Sequence, residues 1–225
     1  MSSIFLLLKL YCAADSSTDS KAKSFQDLCI LHLTGGANKP SPYEHLKGAS
    51  IIYHTDLARE ALPAEDVCGW TGFVCEKGAL ISIQSFCIEM ELEWDLAWFP
   101  SSVEKINMSQ TSMNTHLPTR SLPKNLLSCV LEGCRLIGRL EIRTLPSKVI
   151  RLCLQGNFIV GNICLTNLPP TMQELDLRSN KVENVYVCAE NVPPLFHSSI
   201  LEQRGGRQAR VVWIGGRKTK SNIFY

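Results

Sequence analysis

The stretch CGWTGFVCEKG, Cys68 to Gly78, places two cysteines seven positions apart with Trp70 between them. Thiols so spaced could supply half of a metal site, a redox pair or a structural crosslink. A zinc site needs a second Cys or His pair, and none stands at suitable spacing. A CxxC redox motif is also missing. The five histidines, His32, His45, His54, His116 and His197, share no spacing with a nucleophile or a metal pair. GxSxG, HExxH and P-loop patterns do not occur. No enzyme activity, metal or cofactor is expected.

The chain has 225 residues, 45% of them hydrophobic, enough for one domain or a short array with a core. Its net charge of +2 points to no polyanionic partner. From Leu201 onward there are six basic residues against Glu202 alone, a local +5 that leaves about −3 elsewhere. The tail RGGRQARVVWIGGRKTK could contact an anionic surface, but a single RGG is a weak nucleic-acid signal and a solvated tail is favoured.

At the start, MSSIFLLLKLYCAADSS sets an apolar run, Ile4 to Tyr11, before Cys12-Ala13-Ala14, a small-x-small pattern for cleavage after Ala14. Lys9 interrupts the run and no basic residue precedes it, so the rival is a short buried or frayed segment. Residues 1–14 are read as a signal peptide, and no later window of 18 apolar residues suggests a membrane span. Ten cysteines are many for a cytosolic chain of this size. Loss of Cys12 leaves an odd number, so at least one is free or paired with another chain.

Positioning comes from a repeat. An apolar residue followed by Pro recurs at Phe99-Pro100, Leu122-Pro123, Leu145-Pro146, Leu168-Pro169 and Val192-Pro193, at intervals of 23, 23, 23 and 24. Four residues after each of the first four anchors comes an LxxLxLxxNxL pattern: Val103, Ile106, Met108, Thr111; Leu126, Cys129, Leu131, Cys134; Val149, Leu152, Leu154, Asn157; Met172, Leu175, Leu177, Asn180. A weaker turn starts at Leu80 and Ile83. The LxL pair alternates as a short strand with its leucines inward, and the ninth-position Asn can satisfy backbone groups in the turn that follows. The rival is an amphipathic helical array, which a proline in every period opposes.

This pattern resembles the leucine-rich repeat family. LIGRL and IVGNI, with Gly138 and Gly161, resemble the plant-extracellular type, whose convex side carries short extended pieces. In the next turn Asn184 stands for that Gly, a residue that tolerates left-handed backbone. Upstream, Phe25, Leu28 and Leu31 recur every three residues and could form a helix face, with Gly35-Gly36 as its C-cap. With Thr34, Asn38, Cys68, Trp70, Gly72 and Cys75, these resemble the N-terminal cap of plant-type and protist members, among which the short secreted kinetoplastid proteins look most similar. The resemblance covers roughly residues 25–195 and implies an α/β leucine-rich repeat solenoid of about five turns, with a parallel sheet on the concave face and an N-terminal helical cap. In an exported chain it makes Cys68–Cys75 a disulfide closing the loop that carries Trp70 and Phe73 over the first repeat.

The 23-residue register lays out the face a partner would meet. Gln84, Asn107, Val130, Cys153 and Asp176 form one outward column; Phe86, Ser109, Glu132, Gln155 and Arg178 form a second; Lys105, Arg151 and Glu174 belong to a third. Its mixed charge, with apolar Phe86 and Val130, suits a protein or peptide better than nucleic acid; the bland alternative is ordinary solvated strand residues. Cys129, Cys134 and Cys188 fall inward, whereas Cys153 is expected outward and is the candidate unpaired thiol. Asn107-Met108-Ser109 is a glycosylation sequon on this face.

The expected organisation is a signal peptide at 1–14, a cap at 15–78, repeats at 79–195 and a basic, partly disordered tail at 196–225, or a tail that covers the last turn from Leu201. The expected function is non-catalytic protein binding by a secreted or surface-associated chain. The alternatives are an intracellular (cytoplasmic) scaffold and a secreted enzyme inhibitor.

Overall fold

The computed structural model describes Gln26, Cys29, Ile30, Leu33 and residues 67–69, 72–84, 95–215, 223 and 224. Its strands are β1 (Phe73–Glu76), β2 (Ala79–Gln84), β3 (Lys105–Asn107), β4 (Ser128–Val130), β5 (Ile137–Gly138), β6 (Arg151–Cys153) and β7 (Phe158–Cys164). Then come β8 (Glu174–Asp176), β9 (Lys181–Val187), β10 (His197–Ser199), β11 (Glu202–Gln203), β12 (Arg207–Gln208) and β13 (Arg210–Trp213).

Seven of these form one sheet in the order β1-β2-β3-β4-β6-β8-β10. β1 and β2 make an antiparallel hairpin, and every later pairing is parallel. Ile83 lies beside Ile106, followed by Cys129, Leu152, Leu175 and Ser198, a constant step of 23 residues. These six point inward and are at most 1% exposed. A second sheet, β13-β9-β7-β5, is parallel throughout.

The periodic prolines set where each strand begins. The amides of Val103, Leu126, Val149, Met172 and Phe196 donate to the carbonyls of Pro100, Pro123, Pro146, Pro169 and Pro193, three residues earlier. A residue before proline is pushed out of the right-handed helical region. Phe99, Leu122 and Leu145 accordingly take ψ of 130, 150 and 147°, ending the 3-10 turns Leu96–Trp98, Thr119–Ser121 and Ile142–Thr144. The helical half of the α/β expectation is thereby reduced: in residues 95–215 the connectors are 3-10 turns and short strands, without α-helices.

Gly138, at φ 84°, is required twice over, since a Cβ there would sit 2.2 Å from His116 Nδ1. Asn184 does not inherit that role. The β7–β9 pairing slips between Gly161 and Asn162, so Asn184 lies beside Asn162 in extended backbone and donates to its Oδ1 at 2.8 Å.

At the N-terminal end Gln26, Cys29, Ile30 and Leu33 are helical and buried, an i, i+3, i+4, i+7 face. The expected face of Phe25, Leu28 and Leu31 lies outside the described residues, as do Trp70 and residues 1–14. Gln26 accepts the Leu80 amide at 2.6 Å, tying the helix to β2. Cys68 and Cys75 are disulfide-bonded, joining the 3-10 turn Val67–Gly69 to β1.

The boundary expected at residue 195 falls inside the sheet. β10 pairs with β8, and β13 extends the second sheet, so residues 197–213 are structured rather than a loose tail. The register explains why this turn was hidden. Met172 and Phe196 occupy the same turn position 24 residues apart, yet Leu175 aligns with Ser198, 23 residues on. One residue is lost between them, so the inward series runs Ser198, Ile200, Gln203 rather than Ser199, Leu201. The Ser198 hydroxyl and amide both donate to the Ile223 carbonyl, at 2.8 and 2.7 Å, and Phe224 bridges the same strand.

A ladder of inward polar side chains links the turns. Asn157 Nδ2 donates to the carbonyls of Leu131 and Leu154, while its Oδ1 accepts the Leu136 amide. Asn180 repeats this with Leu154, Leu177 and Ile159. Gln203 does so with Leu177, Ile200 and Val182, filling an Asn position with a longer amide. Cys134 offers one weak donor, to Met108 O at 2.9 Å. Thr111 Oγ1 is buried without a partner.

Asn157→Ala orphans the Leu131 carbonyl and the Leu136 amide in the core, while the Leu154 carbonyl keeps Asn180, and should cost about 3 kcal/mol in chemical denaturation. Thr111→Val removes a hydroxyl that bonds nothing, so it should leave stability unchanged or raise it by about 1 kcal/mol.

Candidate binding face

Strands about 4.8 Å apart stack equivalent residues into columns. Register places Lys105, Ser128, Arg151, Glu174 and His197 side by side, and beside them Gln84, Asn107, Val130, Cys153, Asp176 and Ser199. Ser109, Glu132, Gln155 and Arg178 follow just past the strand ends, all half-buried, and Phe86 lies outside the described residues. Gln84, Lys105 and Arg151 are exposed, whereas Asn107, Val130 and Glu174 are half-buried. Ser128 was legible at the same step of 23; His197 and Ser199 were hidden by the lost residue before β10.

The charges divide the face in two. Toward the C-terminal end they neutralise one another. Arg151 Nε meets Glu174 Oε2 at 2.9 Å. Arg178 contacts both oxygens of Asp176, through Nη2 at 2.6 Å and Nε at 3.1 Å, and the Arg178 amide adds a third donor. Asp176 is therefore buried and saturated rather than displayed. Toward the N-terminal end, Gln84, Lys105, Asn107, Ser109 and Val130 form a mostly uncharged surface, on which Ser109 donates to Asn107 Oδ1 at 3.3 Å.

Cys153 departs from expectation. It is unpaired but only 1% exposed, because Arg151 and Glu174 close over it from its own strand and the next. Arg151 Nε donates to its sulfur at 3.2 Å, and the thiol donates to Glu174 Oε1 at 3.4 Å. Burial pushes the thiol up to about 12, overriding the lowering effect of Arg151. Cys134 is raised to about 11, and Cys129 higher still, in both cases chiefly by burial. None of the three supplies a thiolate nucleophile near neutral pH. Cys188, expected inward, is half-buried, and the exposed free thiol among the described residues is Cys164 at the end of β7. Nothing in the repeat consensus distinguished it.

Among the described residues no group of three or more His, Cys, Asp or Glu could hold a metal ion, and no helix is long and apolar enough to cross a membrane.

No protein-family model matches the chain, and no curated protein matches it. It is similar to a chain of the BIR3–SERK2 complex from Arabidopsis thaliana, at 20% identity and a TM-score of 0.45, over 76% of this chain and 93% of that one. It is also similar to Pollen Receptor Kinase 3, at 17% identity and a TM-score of 0.39, over 81% of this chain and 99% of that one.

The thiols order themselves for a chemical test. Iodoacetamide at pH 8 should alkylate Cys164 in the native protein first. A thiol raised as far as Cys153, even if reached, should react about a thousand-fold more slowly than an ordinary one. Site-resolved mass spectrometry measures both rates.

Proposed function

We propose that the chain is a non-catalytic leucine-rich repeat module, a solenoid with an N-terminal cap that binds a protein or peptide across its concave sheet. The observation that carries this reading is the unbroken parallel register from β2 to β10, which aligns side-chain columns on one face. A partner must desolvate what it covers, and uncharged side chains cost least. A charge unpaired among the described residues, such as Lys105, can be compensated by an opposite charge on the partner, whereas charges already paired within the sheet offer no such gain. The contact region is therefore assigned to the N-terminal half, Gln84, Lys105, Asn107, Ser109 and Val130, with the paired charges of Arg151, Glu174, Asp176 and Arg178 outside its centre.

Compartment follows from sulfur chemistry. The Cys68–Cys75 disulfide supports an exported or surface-associated chain. The buried free thiols Cys129, Cys134 and Cys153 favour a second reading, an intracellular scaffold. Peptide mapping with and without reductant decides between them: a crosslinked 68–75 peptide in native protein supports export, and two free thiols support the scaffold. The disulfide's loss should lower stability by about 2.5 kcal/mol, from the entropy of an eight-residue loop.

Affinity capture with the mature chain tests the face. Val130→Arg and Lys105→Glu should each reduce recovery of the captured protein at least ten-fold, while Glu183→Lys on β9 of the second sheet should not. Equal recovery with all three would sink the concave reading. Glycosylation decides it as well, because a glycan on Asn107 would stand between Gln84 and Val130. Mass spectrometry of protein made through a eukaryotic secretory route should show Asn107 largely unmodified if this surface binds a partner.

A further inference from the structure

We propose that a groove beyond the C-terminal ends of β4, β6 and β8 binds the acidic side chain of a peptide ligand between Arg135 and Arg204. This deepens the peptide-binding reading above and rests on it. The groove encloses about 440 Å³, within the range of small-ligand sites.

Its cationic walls come from a register the repeat consensus ignores. Positions 135, 158, 181 and 204 follow one another at 23-residue steps and carry Arg, Phe, Lys and Arg. At about 4.8 Å per turn, the backbones of Arg135 and Arg204 stand roughly 14 Å apart. Arg204 closes that gap by reaching back across two turns. Its Nη2 donates to Gly156 O and its Nε to Ser179 O, each at 2.9 Å, and its guanidinium lies 4.3 Å from the centre of the Phe158 ring. The head group is thereby fixed one turn from Arg135, with three of its five donors unassigned among the described residues. Lys181, 5.6 Å from the same ring, adds a further positive charge. Arg135 makes no ion pair among the described residues. Two cations three turns apart in sequence therefore face one groove, with one of them held in place before any ligand arrives.

The floor explains why a peptide fits. Gly133 and Gly156 line it with φ of 66 and 73°, at the register position held by Gln110 and Ser179 with φ of 60 and 56°. Since Gln and Ser adopt the same left-handed backbone there, conformation alone does not require glycine at 156. A Cβ on Gly156 would meet the Gly133 backbone only at 3.6 Å, so inter-turn packing does not require it either. Glycine leaves the groove open. Gln110 and Gln155 border that opening, and their amides match the donor and acceptor of a peptide bond. Glu132 also lines the groove, and its charge is felt by Arg151 and Arg178 on the concave side. A carboxylate so placed admits one isolated anion near Arg135 and Arg204 but repels a ligand with closely spaced charges. An acidic peptide is thus preferred over nucleic acid or a sulfated polymer.

Fluorescence anisotropy at low ionic strength tests this with a labelled Gly-Ser-Glu-Gly-Ser-Gly peptide, its Gln analogue and a labelled sulfated hexasaccharide. The Glu peptide should bind at least five-fold more tightly than the Gln analogue and more tightly than the hexasaccharide. Arg135→Gln and Arg204→Gln should each erase the Glu preference. Arg207→Gln and Arg210→Gln, exposed in the same basic segment but outside the groove, should preserve it. If Arg204→Gln unfolds the hairpin of β11 and β12, Arg135→Gln still decides the matter, since it removes no described bond. No preference for Glu, equal losses at Arg207, or tighter binding of the hexasaccharide would overturn the proposal. Failure here with capture by the concave columns intact overturns this inference alone. The converse result overturns the concave reading alone.

Discussion

An amide side chain buried at the end of a strand governs this architecture. Asn157, Asn180 and Gln203 each bond carbonyls of their own turn and of the turn before, while accepting an amide from the preceding turn's exit. Such a group has little freedom to slide, because a slip of one residue would bury several unpaired polar atoms at once. Register follows from that constraint, and the side-chain columns follow from register. Where the amide is missing, at Thr111 and Cys134, apolar packing and strand pairing hold the turn with less polar support.

The two ends of the sheet are closed by different means. The N-terminal end uses an antiparallel hairpin, a disulfide and the Gln26 bond to Leu80, which leave β2 paired on both sides. At the other end Ser198 stands where every other strand has an apolar residue, and its hydroxyl is consumed by Ile223 O. A polar residue facing the core is tolerable only with such a partner. The charges of the face obey the same economy: Asp176 is buried because Arg178 and its own backbone satisfy both oxygens.

Much of this could be read from sequence because one period governs it. The inward residues Ile106, Leu131, Leu152 and Leu177 follow from the alternation, and the strand starts follow from the prolines. What escaped reading depends on departures from the period or on contacts across it. The residue lost after Phe196 concealed β10, and Gln203 escaped because it is a longer amide than the Asn it replaces. Cys153 occupies an outward position, but its burial comes from an ion pair between residues 23 positions apart. The groove at Phe158 depends on an arginine 48 residues from the carbonyl it bonds. A consensus describes each turn by itself, and these features belong to no single turn.

The joint between Pro193 and His197 shows where such an array can change length. The residue missing there offsets the extra one that makes β9 slip past β7, so the strands keep their step of 23. The segment can give up a residue because between the proline bond and the first strand pair it carries no ladder amide. The strand-to-ladder stretch from His197 to Gln203 keeps its spacing intact. Insertions and deletions should therefore be absorbed in the second-sheet strand or just downstream of a proline and rejected between a strand and its amide. For protein engineering, this joint is the natural seam at which to graft or excise a whole turn.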